Sequence, residues 1–165
     1  MRVIRTQPLT AEAFAPFGDV IGLRAMADRW LNQGLCARHH DLARLEFTDG
    51  RAGLSLFLAQ RRGLPYTLGM VERHPHGSQA FIPMAMEPFL VIVAPDQGDM
   101  PGCPLAFLAP PGQGVNFHRG TWHGVLTPLE GEQKAAALFA VVDRIGAGAN
   151  LEEHWFETPW QVVQG

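Results

Sequence analysis

From residue 52 onward the chain alternates short apolar runs with turn residues. The runs are rich in strand-forming residues, and each is bounded by Gly, Pro or Asp. Eight strands are predicted, at 54–59, 66–71, 80–82, 89–94, 105–108, 114–117, 122–126 and 135–142. A spacing of roughly 8–18 residues between short strands is typical of an antiparallel sandwich or barrel. The pattern therefore predicts a mostly β domain.

One short helix is predicted near the start of the chain. Thr10 can cap a helical turn over residues 11–14, and Pro16 and Gly18 then end it. The run FLVIVA at 89–94 is apolar on both faces. We therefore expect this strand to be covered on both sides or to lie in a dimer contact.

Length and composition limit the classes of protein. The 165 residues predict one domain spanning 1–165, and 47% hydrophobic against 18% charged residues provides ample material for one core. A net charge of −3 without runs of like charge does not favour nucleic acid or an anionic membrane as a partner. No apolar run approaches the ~20 residues that span a bilayer.

The expected compartment is the cytoplasm. The first residues lack the features of a secretory signal, and Cys36 and Cys103 form no disulfide or zinc pattern. Lys134, the only lysine and so the only candidate for Schiff-base chemistry, is expected in a polar turn.

Histidines provide the candidate chemistry, and six of the seven fall in three close pairs: His39 and His40, His74 and His76, His118 and His123. Two of these pairs lie in regularly spaced stretches. These stretches read Glu72-x-His74-x4-Gln79-x6-Met86 and Gly112-x5-His118-x-Gly120-x2-His123-x3-Thr127.

The spacing has a physical reason. Alternate residues of a strand share a face, so Glu72 and His74 are expected to point together into a barrel. Gln79 returns on the next strand, and a tight turn at Gly120 brings His123 into the same cavity. Such a set of nitrogen and oxygen ligands suits a divalent metal ion. His39 and His76 are expected to face away.

The two stretches resemble the two motifs of the cupin superfamily, G-x5-H-x-H-x(3,4)-E-x6-G and G-x5-P-x-G-x2-H-x3-N. The spacing matches throughout, and the identities match in part. The substituted positions are Glu72 for His, Gln79 for Glu, His118 for Pro, Thr127 for Asn, and Tyr66 and Met86 for Gly. Two imidazoles, a carboxylate and an amide form a weaker cage than three histidines and a glutamate, so a metal-free cavity remains the alternative.

Further identities make the chain similar to one cupin family, the ureidoglycolate lyases. They lie in LTAEAFAPFGDVI at 9–21, RHHDLARLE at 38–46, AQ at 59–60, LP at 64–65, ERHPHGSQAFIPM at 72–84, GVNFHRGTWHG at 114–124 and DR at 143–144. Leu58, Arg61 and Met86 depart from the Arg, Pro and Gly of the family pattern and bear on the edge of the pocket.

The resemblance implies an RmlC-like cupin fold, a jelly-roll antiparallel β-barrel with a few short helices. It further implies a carbon-nitrogen lyase that cleaves (S)-ureidoglycolate to glyoxylate and urea in allantoin degradation, and a homodimer. The resemblance favours Ni²⁺ at Glu72, His74, Gln79 and His123, with Zn²⁺ or Mn²⁺ as alternatives.

This reaction requires three functions of the protein. An arginine is needed for the substrate carboxylate, for which Arg38 is favoured, with Arg144 also available although it could instead form an internal ion pair. A base is needed for the hydroxyl proton; His118 is the first choice, and its alternative role is a hydrogen-bonded turn residue. His40 is the candidate acid for the departing nitrogen.

Two residues are expected to contact the substrate without moving protons. Asn116 can orient the ureido carbonyl, and Trp122 can form an apolar wall. Two rival functions stay open: a small-ligand sensor without catalysis, and a metal-dependent isomerase or oxygenase, for which three histidine ligands would be usual.

Overall fold

The computed structural model describes residues 2–131 and 135–165, so Lys134 and its predicted turn lie outside the described residues. Strands make up most of the described chain. Their bounds are β1 (Arg2–Pro8), β2 (Gly18–Ile21), β3 (Arg29–Leu31), β4 (Cys36–Arg38), β5 (Arg51–Ala59), β6 (Tyr66–Arg73), β7 (Gln79–Pro83), β8 (Phe89–Ala94), β9 (Leu105–Ala109), β10 (Gly114–Phe117), β11 (Trp122–His123), β12 (Thr127–Pro128), β13 (Ala137–Ile145) and β14 (Glu152–Val163).

Two short helical segments accompany the strands within residues 2–131 and 135–165. Helix α1 (Ala11–Phe14) begins where predicted, and the Thr10 hydroxyl accepts a hydrogen bond from the Ala13 N–H. A 3-10 turn (Asn32–Gly34) joins β3 to β4. No helix among the described residues combines the length and apolarity required to cross a membrane.

The larger sheet closes on itself. Its strands follow the order β11, β6, β14, β1, β9, β8 and β12, and β11 pairs with both β6 and β8. This double pairing closes a six-stranded barrel, as in a cupin jelly roll. The two residues of β11 therefore form the seam of the barrel.

The sheet is mixed and mostly antiparallel, as expected for the predicted fold, and its parallel pairs involve one strand. Strand β1 runs parallel to both β14 and β9. Strands β1 and β14 also escaped prediction, because polar residues interrupt their apolar pattern. Since neither neighbour of β1 is connected to it by a hairpin, no tight turn fixes its direction as antiparallel.

A five-stranded sheet, in the order β2, β10, β7, β13 and β5, packs against one side of the barrel. The layer between the sheets is a phenylalanine-rich core that includes Phe14, Phe89, Phe107, Phe117 and Phe139. All six residues of β8 are buried. Its odd-numbered residues pack in this layer, and its even-numbered residues pack in a second core on the other face. The prediction that this strand is covered on both sides is confirmed.

Candidate metal centre

Glu72, His74 and His123 meet at one point in the structure. Glu72 lies on β6 and is paired with His123 of β11, while His74 follows the last residue of β6. One ligand atom from each of the three residues lies within 4.8 Å of the others. The Nε2 atom of His74 is 3.9 Å from Oε1 of Glu72. The predicted strand phase, with residues 72 and 74 on one face, is therefore confirmed.

Backbone carbonyls fix the tautomer of both imidazoles. Nδ1 of His74 lies 2.7 Å from the Asn150 carbonyl oxygen, and Nδ1 of His123 lies 3.0 Å from that of Gly124. Because a carbonyl only accepts, each Nδ1 carries the proton, and in the neutral imidazole the lone pair is then on Nε2. Both Nε2 atoms are buried without a hydrogen-bond partner in the described protein. This is the arrangement of histidines that bind a metal through Nε2.

Electrostatics also fit a cation at this point. Burial, assisted by the nearby His74, lowers the pKa of His123 to about 3, so its imidazole is neutral at neutral pH. Burial also raises the pKa of Glu72; His74 opposes this shift, and the negative charge of Glu153 adds to it. A divalent ion would stabilise the charged form of Glu72, which burial disfavours.

Gln79 is suited to be a fourth ligand. It opposes Phe117 in the register of β7 and β10, so the two side chains share a face, and the ring of Phe117 stacks on that of His123 with centroids 4.2 Å apart. The amide nitrogen of Gln79 donates to Oδ2 of Asp143 at 3.4 Å. Its Oε1 atom is buried without a hydrogen-bond partner in the described protein.

Three residues that support this centre were missed by the sequence reasoning: Phe117, Asp143 and Asn150. Phe117 fixes the plane of His123, Asp143 orients the amide of Gln79, and Asn150 holds His74. Asn150 also accepts a hydrogen bond from the His76 N–H through its side chain. Only Asp143 carried a signal: Val142 pairs with Ala80, and the next step along both strands brings Asp143 to Gln79.

His118 and Asn116 meet at Asp19, apart from the three clustered ligands. Asn116 points away from the layer that holds Phe117, because the two are neighbours on β10. Oδ2 of Asp19 accepts hydrogen bonds from Asn116 Nδ2 and the Arg44 N–H, both at 2.9 Å. It lies 3.2 Å from Nε2 of His118, although the N–H is poorly aimed for a hydrogen bond.

The Asp19 carboxylate is stabilised in its charged form. Burial raises the pKa of Asp19, but hydrogen bonds from Asn116 and the Arg44 backbone, together with His118, outweigh burial and leave the pKa below its ordinary value. This cluster therefore contains a carboxylate that is negative at neutral pH beside an imidazole.

Trp122 and Arg144 are engaged in structural contacts. The indole N–H of Trp122 donates to Oδ1 of Asp96 at 3.1 Å, and its ring belongs to the second core, on the face opposite His123. The guanidinium of Arg144 pairs with Asp49 and donates to the Ala147 carbonyl at 2.6 Å. These contacts match the internal ion pair considered for Arg144.

Arg38 and His40 lie at the end of the β3–β4 hairpin, exposed to solvent. Nη2 of Arg38 is 2.8 Å from Nδ1 of His40. Of the two histidines expected to face away, His39 accepts from the Arg24 N–H, and His76 contacts the Thr48 hydroxyl. None of these histidines belongs to the cluster of ligand atoms around Glu72.

The positions that depart from the family pattern also have clear surroundings. Leu58 and Met86 are exposed. Arg61 pairs with Glu87 and donates to backbone carbonyls, so it stabilises the fold. Thr127 donates to the Val125 carbonyl at 2.8 Å.

Fold and ligand geometry together define a cupin-type β-barrel that contains a cluster of two histidines and one carboxylate. The family model for ureidoglycolate lyase matches residues 1–163. The chain is 57% identical to a ureidoglycolate lyase of Rhodobacter capsulatus, over 96% of this chain and 97% of that protein. It is 52% identical to ureidoglycolate lyase 2 of Rhizobium meliloti, over 94% of each chain. It is 51% identical to that of Chelativorans sp., over 98% and 97%. The chain belongs to the ureidoglycolate lyase family.

Proposed function

We propose that this chain is a carbon-nitrogen lyase that cleaves ureidoglycolate to glyoxylate and urea, a step of allantoin degradation. Its full-length similarity to ureidoglycolate lyases supports the substrate. The observation that carries the chemistry is the meeting of Glu72, His74 and His123, with both imidazole Nε2 atoms free of hydrogen bonds.

The reaction consumes no water. The central carbon of ureidoglycolate carries a carboxylate, a hydroxyl and a ureido nitrogen. When the hydroxyl loses its proton, its electrons form the aldehyde of glyoxylate, the C–N bond breaks, and the nitrogen takes up a proton to give urea. The protein must therefore bind the carboxylate, accept one proton and donate another.

Glu72, His74 and His123 would hold a divalent metal ion, with the Gln79 amide oxygen as a fourth ligand. Family resemblance favours Ni²⁺, and the ligand set also accepts Zn²⁺ or Mn²⁺. When bound, such an ion lowers the pKa of a hydroxyl group that coordinates it. The two carbonyl-bound Nδ1–H groups keep the imidazoles in the ligating tautomer, and Asp143 keeps the amide oxygen of Gln79 available.

His118 and His40 are the proposed groups for the two proton transfers. His118 would act as the base, and the Asp19 carboxylate lies 3.2 Å from its Nε2 atom. His40 would protonate the departing nitrogen, and Arg38 would bind the substrate carboxylate. We assign no proton transfer to Asn116, Trp122 or Arg144. The Asn116 amide nitrogen donates to Asp19, the Trp122 indole N–H to Asp96, and the Arg144 guanidinium to Asp49.

We also propose that the enzyme is a homodimer formed through the outer face of the five-stranded sheet. Directly opposed residues share a face, and three rows of apolar side chains cross β5, β13 and β7 on that face. The rows are Leu58 with Leu138, Leu56 with Ala140 and Ile82, and Leu54 with Val142 and Ala80. Leu54, Leu56 and Leu58 are exposed, as expected of an interface between copies.

Two free cysteines are consistent with a cytoplasmic enzyme.

One observation favours a second candidate. Two histidines and one carboxylate are also the ligand set of iron(II) oxygenases. The test that separates the two functions is incubation of metal-loaded protein with ureidoglycolate under argon. Equal amounts of urea and glyoxylate, unchanged by the removal of oxygen, support the lyase. Turnover that requires oxygen, or no release of urea, contradicts it.

A further inference from the structure

Residues 23–40, which we call the arm, project from the molecule. The arm contains β3, the 3-10 turn and β4, which pair with one another and with no strand of either large sheet. Its large apolar side chains face solvent: Trp30 is 64% exposed and Leu35 is 87% exposed, and Leu23 and Met26 are similar. Apolar side chains clustered on one exposed segment indicate a contact surface.

The arm is ordered by its own hydrogen bonds. Asp28 pairs with the Arg24 guanidinium at 3.1 Å and accepts from the His40 N–H at 2.9 Å. The Asp28 N–H donates to the Arg38 carbonyl, and the Arg24 N–H donates to His39. An element held in one conformation without support from its own barrel is ready to bind another molecule with little loss of entropy.

Charge and position favour a second copy of this chain as the partner. The arm carries three arginines and one aspartate, whereas the whole chain has a net charge of −3, so the arm is complementary to the rest of the molecule. The arm follows β2, the edge of the sheet whose outer face we propose as the dimer interface. The chain then returns across that face, where the Arg44 carbonyl accepts from Asn116. The arm is therefore continuous with the proposed interface.

The metal centre needs a cation for the substrate carboxylate, and the arginines around it are already paired. Arg73 pairs with Glu152 and Asp99, Arg144 with Asp49, and Arg119 with Glu46.

By contrast, Arg38 contacts the ring of His40 and no carboxylate of the described chain. Its planar guanidinium is free to bind both oxygens of a carboxylate.

We propose that the arm docks on a second copy and supplies Arg38 to the partner's metal centre, where it binds the substrate carboxylate. This inference rests on the proposed function, because it concerns the same substrate. Each complete site then contains Glu72, His74 and His123 of one chain and the arm of the other. A monomer has no complete site.

The test uses two inactive variants with different affinity tags, Arg38→Ala and His123→Ala, expressed together so that mixed dimers can be isolated. Each variant alone is expected to lose at least about 100-fold in kcat/KM for urea release. In a mixed dimer with shared sites, one site carries both substitutions and the other carries neither. The mixed dimer is therefore expected to recover about half of the wild-type activity.

Two controls distinguish the loss of Arg38 from the loss of any exposed arginine and from misfolding. Arg5→Ala, which removes an exposed arginine from β1, is expected to keep wild-type activity. Circular dichroism checks that His123→Ala is folded, and His123→Gln replaces it if it is not.

Mixed dimers without recovered activity, a monomeric wild type, or full activity of Arg38→Ala would each overturn the proposal. Wild-type protein that releases no urea contradicts the proposed function instead. Calorimetry with glyoxylate then tests the arm on the same dimers: binding at half of the sites supports it, and no binding overturns it.

Discussion

The two faces of β6 and β11 are built from neighbouring residues and have opposite character. On one face, Glu72 and His123 present clustered ligand atoms, and Nε2 of His123 has no hydrogen-bond partner in the described protein. On the other, Arg73 pairs with Glu152 at 2.6 Å and stacks over the ring of Trp122 at 4.5 Å. A single step along the strand therefore separates groups held ready for a ligand from groups fully occupied in stabilising the fold.

The largest effect is expected from a substitution on the face that carries Glu72 and His123, which we call the ligand face. His123→Ala removes a buried imidazole whose Nε2 is one of the clustered ligand atoms. We expect loss of tight metal binding and a fall in turnover of at least about 100-fold, since the loss of a ligand exceeds the loss of a supporting residue. Metal content by elemental analysis and urea release measure the two effects. Full metal content in a folded variant would remove His123 from the centre.

A smaller effect is expected when the support of the ligand face is weakened. Asp143→Ala frees the amide of Gln79 to rotate, because its Nε2 then loses its acceptor. Supporting residues of this kind change metal affinity by about 10- to 100-fold, and we expect the lower end.

Calorimetric titration with Ni²⁺ or Zn²⁺ measures this change directly. Asp49→Ala serves as the control. It also removes an aspartate carboxylate, but this carboxylate pairs with Arg144, the residue that follows Asp143 on β13. Equal affinities in wild type and Asp143→Ala would show that the amide of Gln79 has no part in the centre.

On the opposite face, substitution is expected to change stability and leave turnover nearly intact. Trp122→Phe removes the hydrogen bond from the indole N–H to Asp96 while keeping a ring in the core. We expect the free energy of unfolding to fall by about 1 kcal/mol. Urea denaturation gives the stability, and kcat/KM for ureidoglycolate is expected to change less than twofold. A large loss of kcat/KM at unchanged stability would place Trp122 against the substrate.

The smallest expected effect is a pH-dependent change in stability, and it concerns the cluster of Asp19, Asn116 and His118. The pKa of Asp19 lies below its ordinary value of 3.8 in the folded protein, so the charged carboxylate contributes stability above pH 3.8. That contribution is lost as the pH falls through the folded pKa. Wild type is therefore expected to exceed Asp19→Asn in stability at pH 5 to 7, with the difference shrinking below pH 4. A difference that grew on acidification would contradict this sign.

Sequence reasoning reached the parts of the molecule where pattern and position coincide. The spacing of Glu72, His74 and His123 predicted a cluster that the structure forms, because strand alternation and one tight turn fix these side chains. Strands β5 to β10 were predicted because each is a short apolar run bounded by turn residues. Strands β1 and β14 were missed because polar residues interrupt their apolar pattern.

Residues outside the strand pattern were harder to place. His118 occupies a motif position, yet its ring lies beside Asp19, a contact set by the pairing of β2 with β10. Asn150 acts mainly through its backbone carbonyl, which no pattern of side chains reveals. Arg38 was chosen for its chemistry, and strand alternation did not predict the two-stranded hairpin on which it lies.

The seam of the barrel has a thermodynamic consequence. Since β11 has only two residues and pairs with both β6 and β8, opening the barrel there separates His123 from Glu72. Any ion that binds both residues must then favour the closed form, by about 2.7 kcal/mol at a free concentration 100 times its dissociation constant. Amide hydrogen exchange at Trp122 and His123 would accordingly slow when the ion is added. The exchange rates of these two amides therefore measure the fraction of the protein that has bound metal.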